Sequence, residues 1–291
     1  MLARESIDFL VSLGPAFFRQ VGYLFLATTD AGLEELERRR SVQRALGVPV
    51  ERVDPSFVDG LRTDDVAGAV FCATDGVADP TAVTRELLRR AAERGVEVRE
   101  HTHAEELDRD VLVIACGARS AELARSVGVE LPIRPLCRQL VLTAPLPLPD
   151  DLPLVVEAET GFHFRRRGDR LVLAMGEERP RWVDDPFVDD ELVSDWLERL
   201  AHRYPPASEL VAEKAWAGLY DMTPDAHPIV GRVADGIYAA CGFSGHGFMQ
   251  SPAVGRALAE EILLGGSGLD LSPYRLERFA GGATFAETAV L

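Results

Sequence analysis

The stretch from Thr223 to Leu264 restricts the fold of this chain more than any other. A short apolar run, Gly236 to Cys241, reads as a buried strand, and Gly242-Phe243-Ser244-Gly245-His246-Gly247 follows at once. From about Phe248 to Leu264 the apolar residues recur with a helical period. A glycine-rich turn between strand and helix lets backbone approach a ligand closely and aims the free N–H groups of the helix start at it. Upstream, Thr223-Pro224-Asp225-Ala226-His227-Pro228 is a turn with two fixed φ angles that leads into Ile229-Val230-Gly231. Two tight turns flanking one short strand point to a functional site rather than to packing alone.

The chain's 291 residues suit one large domain or two interleaved ones, and a hydrophobic content of 47% is enough to bury a sizeable core. A formal net charge of −16 disfavours nucleic acid and anionic membrane as partners, since both call for cationic patches. Arg38-Arg39-Arg40 and Arg165-Arg166-Arg167 read as solvated faces or turns. No apolar run approaches a membrane span and the first residues lack a signal-peptide layout, so a cytoplasmic location is expected. Cys72, Cys116, Cys137 and Cys241 lie in or beside apolar runs and read as small buried hydrophobes. There is no H-E-x-x-H, and His101-x-His103 stands alone, so no metal is expected.

Taken in order, Met1 to Phe18 has a rough helical period, Gly22 to Ala27 reads as a buried strand, and Gly32 to Leu46 reads as a charged surface helix. Ala69 to Cys72 is a further strand. Asp79 is placed to cap a helix from Thr81 to Arg94, with Pro80 in its first position and Val96 to Arg99 as the strand it feeds. Asp110 to Cys116 is nearly continuous in apolar residues, the kind of strand buried on both faces of a parallel sheet. Gly117-Ala118-Arg119-Ser120 turns it into a helix over Ala121 to Val127. Pro132–Thr143, Leu154–Glu157, Gly161–Arg167 and Arg170–Gly176 follow as strands of an antiparallel sheet, then a helix over Asp190 to Tyr204.

The runs W-A-G-L-Y-D-M-T-P-D-A-H-P-I-V-G (Trp216–Gly231) and G-F-S-G-H-G-F-M (Gly242–Met249) resemble the C-terminal signature of the FAD-dependent amine and amino-acid oxidoreductases related to D-amino-acid oxidase. The similarity is greatest to the group of the sarcosine oxidase β subunit. Gly22-Tyr23-Leu24-Phe25-Leu26-Ala27, Asp75-Gly76-x-x-Asp79-Pro80 and Gly161-Phe162-His163-Phe164-Arg165 also match, so the resemblance runs from about Gly22 to Phe279. It implies a mixed α/β fold: an FAD-binding Rossmann-like domain, incomplete here, interleaved with a substrate domain built on an antiparallel sheet flanked by helices. Residues 1–70 and 129–213 would belong mostly to the substrate domain, 71–128 and 214–291 to the FAD domain. Between His103 and Asp110 only a short connection remains where relatives insert a small β-meander.

The implied reaction is hydride transfer from the carbon next to a substrate amine to the flavin, giving an imine that water hydrolyses. The implied substrate is a small secondary or N-methyl amino acid of the sarcosine or proline kind. Ala115, Cys116 and Gly117 would pass close to the cofactor, and Gly242, Phe243, Ser244, Gly245, His246, Gly247 and Phe248 would cover its ring end. His246 would face flavin or substrate, or be a histidine held in its turn by backbone bonds. Tyr220 stands where the D-amino-acid oxidases carry a carboxylate-gripping arginine, which makes His163 and Arg165 the candidate carboxylate partners. Arg165 as a surface ion-pair residue is the competing reading. The G-x-G-x-x-G fingerprint that seats the pyrophosphate on a helix start is absent from the sequence. The expectation is therefore that the chain alone does not hold FAD stoichiometrically. A flavin-free relative, a subunit of a multi-chain oxidoreductase and an N-terminally shortened product are the alternatives that follow.

Overall fold

In the computed structural model, residues 2–103 and 108–280 are described. The short connection expected between His103 and Asp110 falls partly outside them. In chain order the elements begin with α1 (Leu2–Ser12), β1 (Phe18–Arg19), β2 (Tyr23–Ala27), α2 (Asp30–Ala45), β3 (Val50–Val53) and β4 (Gly68–Cys72). Next come β5 (Val77–Ala78), α3 (Pro80–Ala92), β6 (Leu112–Ile114), α4 (Ser120–Ser126), β7 (Arg134–Thr143) and β8 (Leu154–Glu157). The last are β9 (His163–Arg167), β10 (Arg170–Ala174), α5 (Asp190–Arg203), β11 (Ala212–Met222), β12 (Ile229–Ala234), β13 (Ile237–Cys241) and α6 (Gly247–Leu264).

Two sheets carry the architecture. An 8-stranded sheet runs in the order β11-β7-β10-β9-β8-β2-β4-β3, and a 3-stranded sheet runs β12-β13-β6. Every pairing in the larger sheet is antiparallel except β2 with β8, where Tyr23 to Leu26 run parallel to Leu154 to Glu157. The expected antiparallel sheet is thus mixed at one ladder, because the chain reaches β8 from the far side of the molecule. Side chains alternate across such a sheet. One face sends Leu24, Leu26, Val155, Phe164, Leu171 and Leu173 into the main core, where Trp196 and Leu200 of α5 close over them. His163 and Arg165, one residue either side of Phe164, point to the opposite face.

Local chemistry starts the helices where the sequence places them. Thr29 Oγ1 accepts the Gly32 N–H at α2, and Asp79 Oδ1 accepts the Thr81 and Ala82 N–H groups at α3, with Pro80 in the first turn. Asp189 does the same for Glu191 at α5. The Arg38-Arg39-Arg40 triplet lies along α2 and pairs with Glu35 and Glu37.

Three expectations change. Val96 to Arg99 enters no ladder, and Val96 and Val98 stay about half exposed, because no described strand lies beside them. The strand over Asp110 to Cys116 is buried on one side only: β6 pairs with β13, while Val111 and Val113 are exposed. An apolar run alone does not reveal that a strand lies at a sheet edge. Cys116, expected in the interior, is exposed, whereas Cys72, Cys137 and Cys241 are buried.

Arg203 is a deeply buried charge, 1% exposed at its side chain. It bonds Glu157 at 2.7 Å, both oxygens of Asp65 at 2.7 and 3.1 Å, and the Arg62 carbonyl at 2.7 Å. It thereby ties α5 to β8 and to the loop before β4. Burial pushes the Asp65 carboxyl up, but the hydrogen bonds from Arg203 and His202 outweigh it and hold the pKa at about 2. A depressed folded value means that the pairing stabilises the fold fully above the unfolded pKa near 3.8 and is lost as pH falls towards 2. Chemical denaturation should therefore show stability declining through that window. Arg203→Met, which leaves Glu157 buried without its cation, should cost about 3–5 kcal/mol at neutral pH. A loss under about 1 kcal/mol would show that the pair contributes nothing net.

Candidate active site

The 3-stranded sheet delivers β13 directly into the glycine turn, and β11 delivers Tyr220 to the same place from the larger sheet. Hydrogen bonds join them. The Gly242 N–H donates to Asp221 Oδ2 at 2.6 Å, the Ser244 N–H to the Asp221 carbonyl at 3.2 Å, and the Thr223 N–H to Ser244 Oγ at 3.2 Å. Ser244 is fully buried and sits at φ +53°, so its own backbone is bent to make these contacts. Gly245 follows at φ +94°, and a Cβ there would fall 2.5 Å from the Tyr220 ring. Glycine is required at that position on both counts.

Below the turn, the T-P-D-A-H-P segment is clamped from the C-terminal end of the described chain. Arg278 grips fully buried Asp225 with Nε to Oδ2 at 2.8 Å and Nη2 to Oδ1 at 3.0 Å, and its Nη2 also reaches the His227 carbonyl at 2.7 Å. Thr223 Oγ1 donates to that carbonyl as well, at 2.7 Å. Burial raises the Asp225 carboxyl, but Arg278, the His227 N–H and Thr223 outweigh it and leave its pKa lowered. Arg275 pairs with Glu261 of α6 at 2.7 and 2.8 Å. Sequence reasoning did not single out Arg275, Arg278 or Asp221. Their spacing from the turn carries no periodic signal, and only the fold brings them to it.

Between the two sheets lies a cleft of about 340 Å³ lined by Ala115, Gly117, Leu219, Tyr220, Asp221, Ala240, Phe243, Gly245, Gly247, Phe248 and Ser251. Tyr220 and six of the ten residues expected around the cofactor are among them. The other four are not: Cys116 turns outward with its N–H on Ser120 Oγ, Gly242 and Ser244 bond to Asp221, and the His246 N–H donates to the Phe243 carbonyl. The N–H groups of Gly242, Ser244 and His246 are therefore committed within the turn. The start of α6 receives no side-chain cap, so its first-turn N–H groups are available to a ligand.

Tyr220, His163 and Arg165 share one face of the larger sheet, as the registers Arg165 with Val172, Val172 with Leu142 and Leu142 with Lys214 require. They are not neighbours on it. Measured along the sheet, the Cα positions of Tyr220 and His163 lie about 20 Å apart, and those of Tyr220 and Arg165 about 25 Å. Burial lowers the pKa of Arg165, and the charges that act on it are those of Tyr23, Arg167 and Asp79. His163 donates Nδ1–H to the Gly161 carbonyl at 2.9 Å, and burial, reinforced by Arg165, lowers its pKa, so the imidazole is neutral with Nε2 unprotonated. Burial raises the Tyr220 phenol, with Arg138 pulling the other way. A larger pocket of about 560 Å³ lies between α2 and the same face and includes Phe25, Cys72, Asp75 and Val156, but it shares no residue with the Tyr220 cleft. The chemistry-bearing turn belongs to the smaller cleft. Among the described residues no cluster of His, Cys, Asp or Glu could hold a metal, and no helix is long and apolar enough to cross a membrane.

The close approach of Gly245 to Tyr220 sets a test. Gly245→Ala should destabilise by about 1–3 kcal/mol from positive φ and ring contact together. In a Tyr220→Ala background the cost should fall, because only the backbone strain remains. Equal costs in the two backgrounds, by urea denaturation, would show that the ring does not limit this position.

A family model for FAD dependent oxidoreductases matches residues 2–261. Mitochondrial sarcosine dehydrogenase of Homo sapiens is 25% identical over 297 residues, which cover 89% of this chain and 32% of that protein. The FAD-dependent oxidoreductase domain-containing protein 1 of Bos taurus is 31% identical over 339 residues, covering 94% of this chain and 68% of that one. The chain thus spans about a third of the length of the sarcosine dehydrogenase it matches. Among solved structures, the L-proline dehydrogenase from P.horikoshii superposes with a TM-score of 0.89 at 26% identity, over 97% of this chain and 83% of that chain.

Proposed function

The chain belongs to the FAD dependent oxidoreductase family, and from that premise we propose that it oxidises a small secondary or N-methyl amino acid of the sarcosine or proline kind. The observation that carries the reading is Tyr220, which closes the cleft against Gly245 from the end of β11. The resemblance read from the sequence implies an arginine at this place in the glycine oxidases and D-amino-acid oxidases. The relatives named for sarcosine and L-proline oxidation point the same way.

The cleft fits the ring end of FAD. Gly245 and Gly247 line one wall of the cleft, and side chains there would collide with Tyr220 and Phe243, 2.5 and 3.2 Å from the Cβ positions, so the backbone itself faces the ligand. Ala115 and Gly117 form the opposite wall, and Gly117 has open space beside it. When bound, FAD accepts the hydride released from the carbon beside the substrate amine. The uncapped start of α6 would direct its N–H groups and dipole at negative charge growing on the ring. Tyr220, held protonated by burial, would donate a hydrogen bond at neutral pH. Phe243, Leu219 and Phe248 would exclude water. No residue is assigned to the pyrophosphate.

The substrate class is tested by bleaching of bound flavin under anaerobic conditions, and by steady-state turnover with an artificial electron acceptor. Sarcosine and L-proline should give the highest kcat/KM among sarcosine, L-proline, glycine and D-alanine. A marked preference for D-alanine would overturn the assignment.

A further inference from the structure

Arg138 lies on β7 with its side chain 16% exposed, and its Nε and Nη1 are buried without a hydrogen-bond partner. Unpaired guanidinium donors in the interior are rare, because five N–H groups lose water together. The nearest carboxylate, Glu177, stands 4.0 Å away and is already held by Arg181, with Nε to Oε2 at 2.8 Å and Nη2 to Oε1 at 2.6 Å. Two guanidinium groups thus share one carboxylate, and the surplus positive charge rests on Arg138.

Its position connects that charge to the site. Arg138 pairs across the ladder with Gly218, and Leu136 pairs with Tyr220, so Arg138 and Tyr220 are diagonal neighbours on one face. Such neighbours have Cβ atoms within about 8 Å, inside the reach of both side chains. Arg138 is the one charged group that acts appreciably on the Tyr220 phenol. Gly218, directly opposite Arg138 on the ladder, is exposed, with nothing within 4 Å of where its Cβ would be, so the strand beside Arg138 leaves this face open.

Resting on the amino-acid oxidation reading, we propose that Arg138 receives the substrate carboxylate, with Tyr220 beside it as second donor, in place of Arg165. A carboxylate supplies two oxygens for the two empty donors and neutralises the surplus charge. Arg165, by contrast, lies about 25 Å from Tyr220 measured along the sheet. Arg138 is the side chain that distinguishes amino acids from simple amines of the same size.

The test uses FAD-loaded protein and two ligands that cannot react, tetrahydrofuran-2-carboxylate and its uncharged methyl ester, with binding read by perturbation of the flavin spectrum. Wild type should bind the acid well and the ester weakly. Arg138→Met should weaken the acid by about ten- to a hundredfold, leave the ester unchanged, and raise the KM of the best amino acid far more than it lowers kcat. Arg138→Lys, which keeps the charge and loses the fork, should fall between, and serves if the methionine variant folds poorly. Arg165→Met should leave acid binding near wild type. Acid binding unchanged in Arg138→Met, or lost in Arg165→Met instead, would overturn the proposal. If wild type oxidised no amino acid yet bound the acid through Arg138, the oxidation reading would fail and the carboxylate site would stand.

Discussion

The site depends on Asp221. Its carboxylate takes the Gly242 N–H at 2.6 Å and its carbonyl takes the Ser244 N–H, so one residue near the end of a long strand holds the glycine turn at two points. A strand of the larger sheet and a turn of the smaller one are thereby locked in register, and Tyr220 is pressed against Gly245 as a consequence. A charge-assisted bond to a backbone N–H is short and directional. Hydrophobic contact between the sheets would bring them together but would not fix the turn within a fraction of an ångström.

Around this joint, charge is distributed unevenly. Structural pairs such as Arg278 with Asp225, Arg275 with Glu261 and Arg203 with Asp65 and Glu157 are complete, and each holds a segment in place. On the face that carries the site, burial instead keeps groups neutral or leaves them unmatched: His163 is deprotonated, Tyr23 and Tyr220 are harder to ionise, and the Asp75 carboxyl is pushed up. Unmatched polar groups cost stability, and a fold keeps them where a ligand will satisfy them. The opposite face of the same sheet is packed by apolar side chains, among them Trp196 and Phe164.

Much of this was legible in the sequence. The strand, glycine turn and helix from Ile237 to Leu264, the Asp79–Pro80 helix start and the strands from Arg134 to Ala174 all announce themselves through turn chemistry and periodicity, which are local properties. Six residues marked around the flavin ring line the cleft, because the turn that places them is encoded in consecutive glycines. What was misread depends on neighbours distant in sequence. Val96 to Arg99 has the pattern of a strand and no partner, Cys116 follows an apolar run yet faces outward, and β6 looks central while lying at an edge.

The sequence by itself determined the element types, the family and the backbone bends, because propensity, patterning and glycine spacing act over a few residues. Only the tertiary structure decided which side chains act together. Nothing in the sequence shows that Arg138 rather than Arg165 is the neighbour of Tyr220. The ladder of β7 with β11 sets one diagonal to Tyr220, and two further strands carry the other away towards Tyr23. Likewise Asp225 and Arg278 are 53 residues apart, and nothing short of the folded chain shows that one neutralises the other. Charge acts through space, so its partners are settled by the fold.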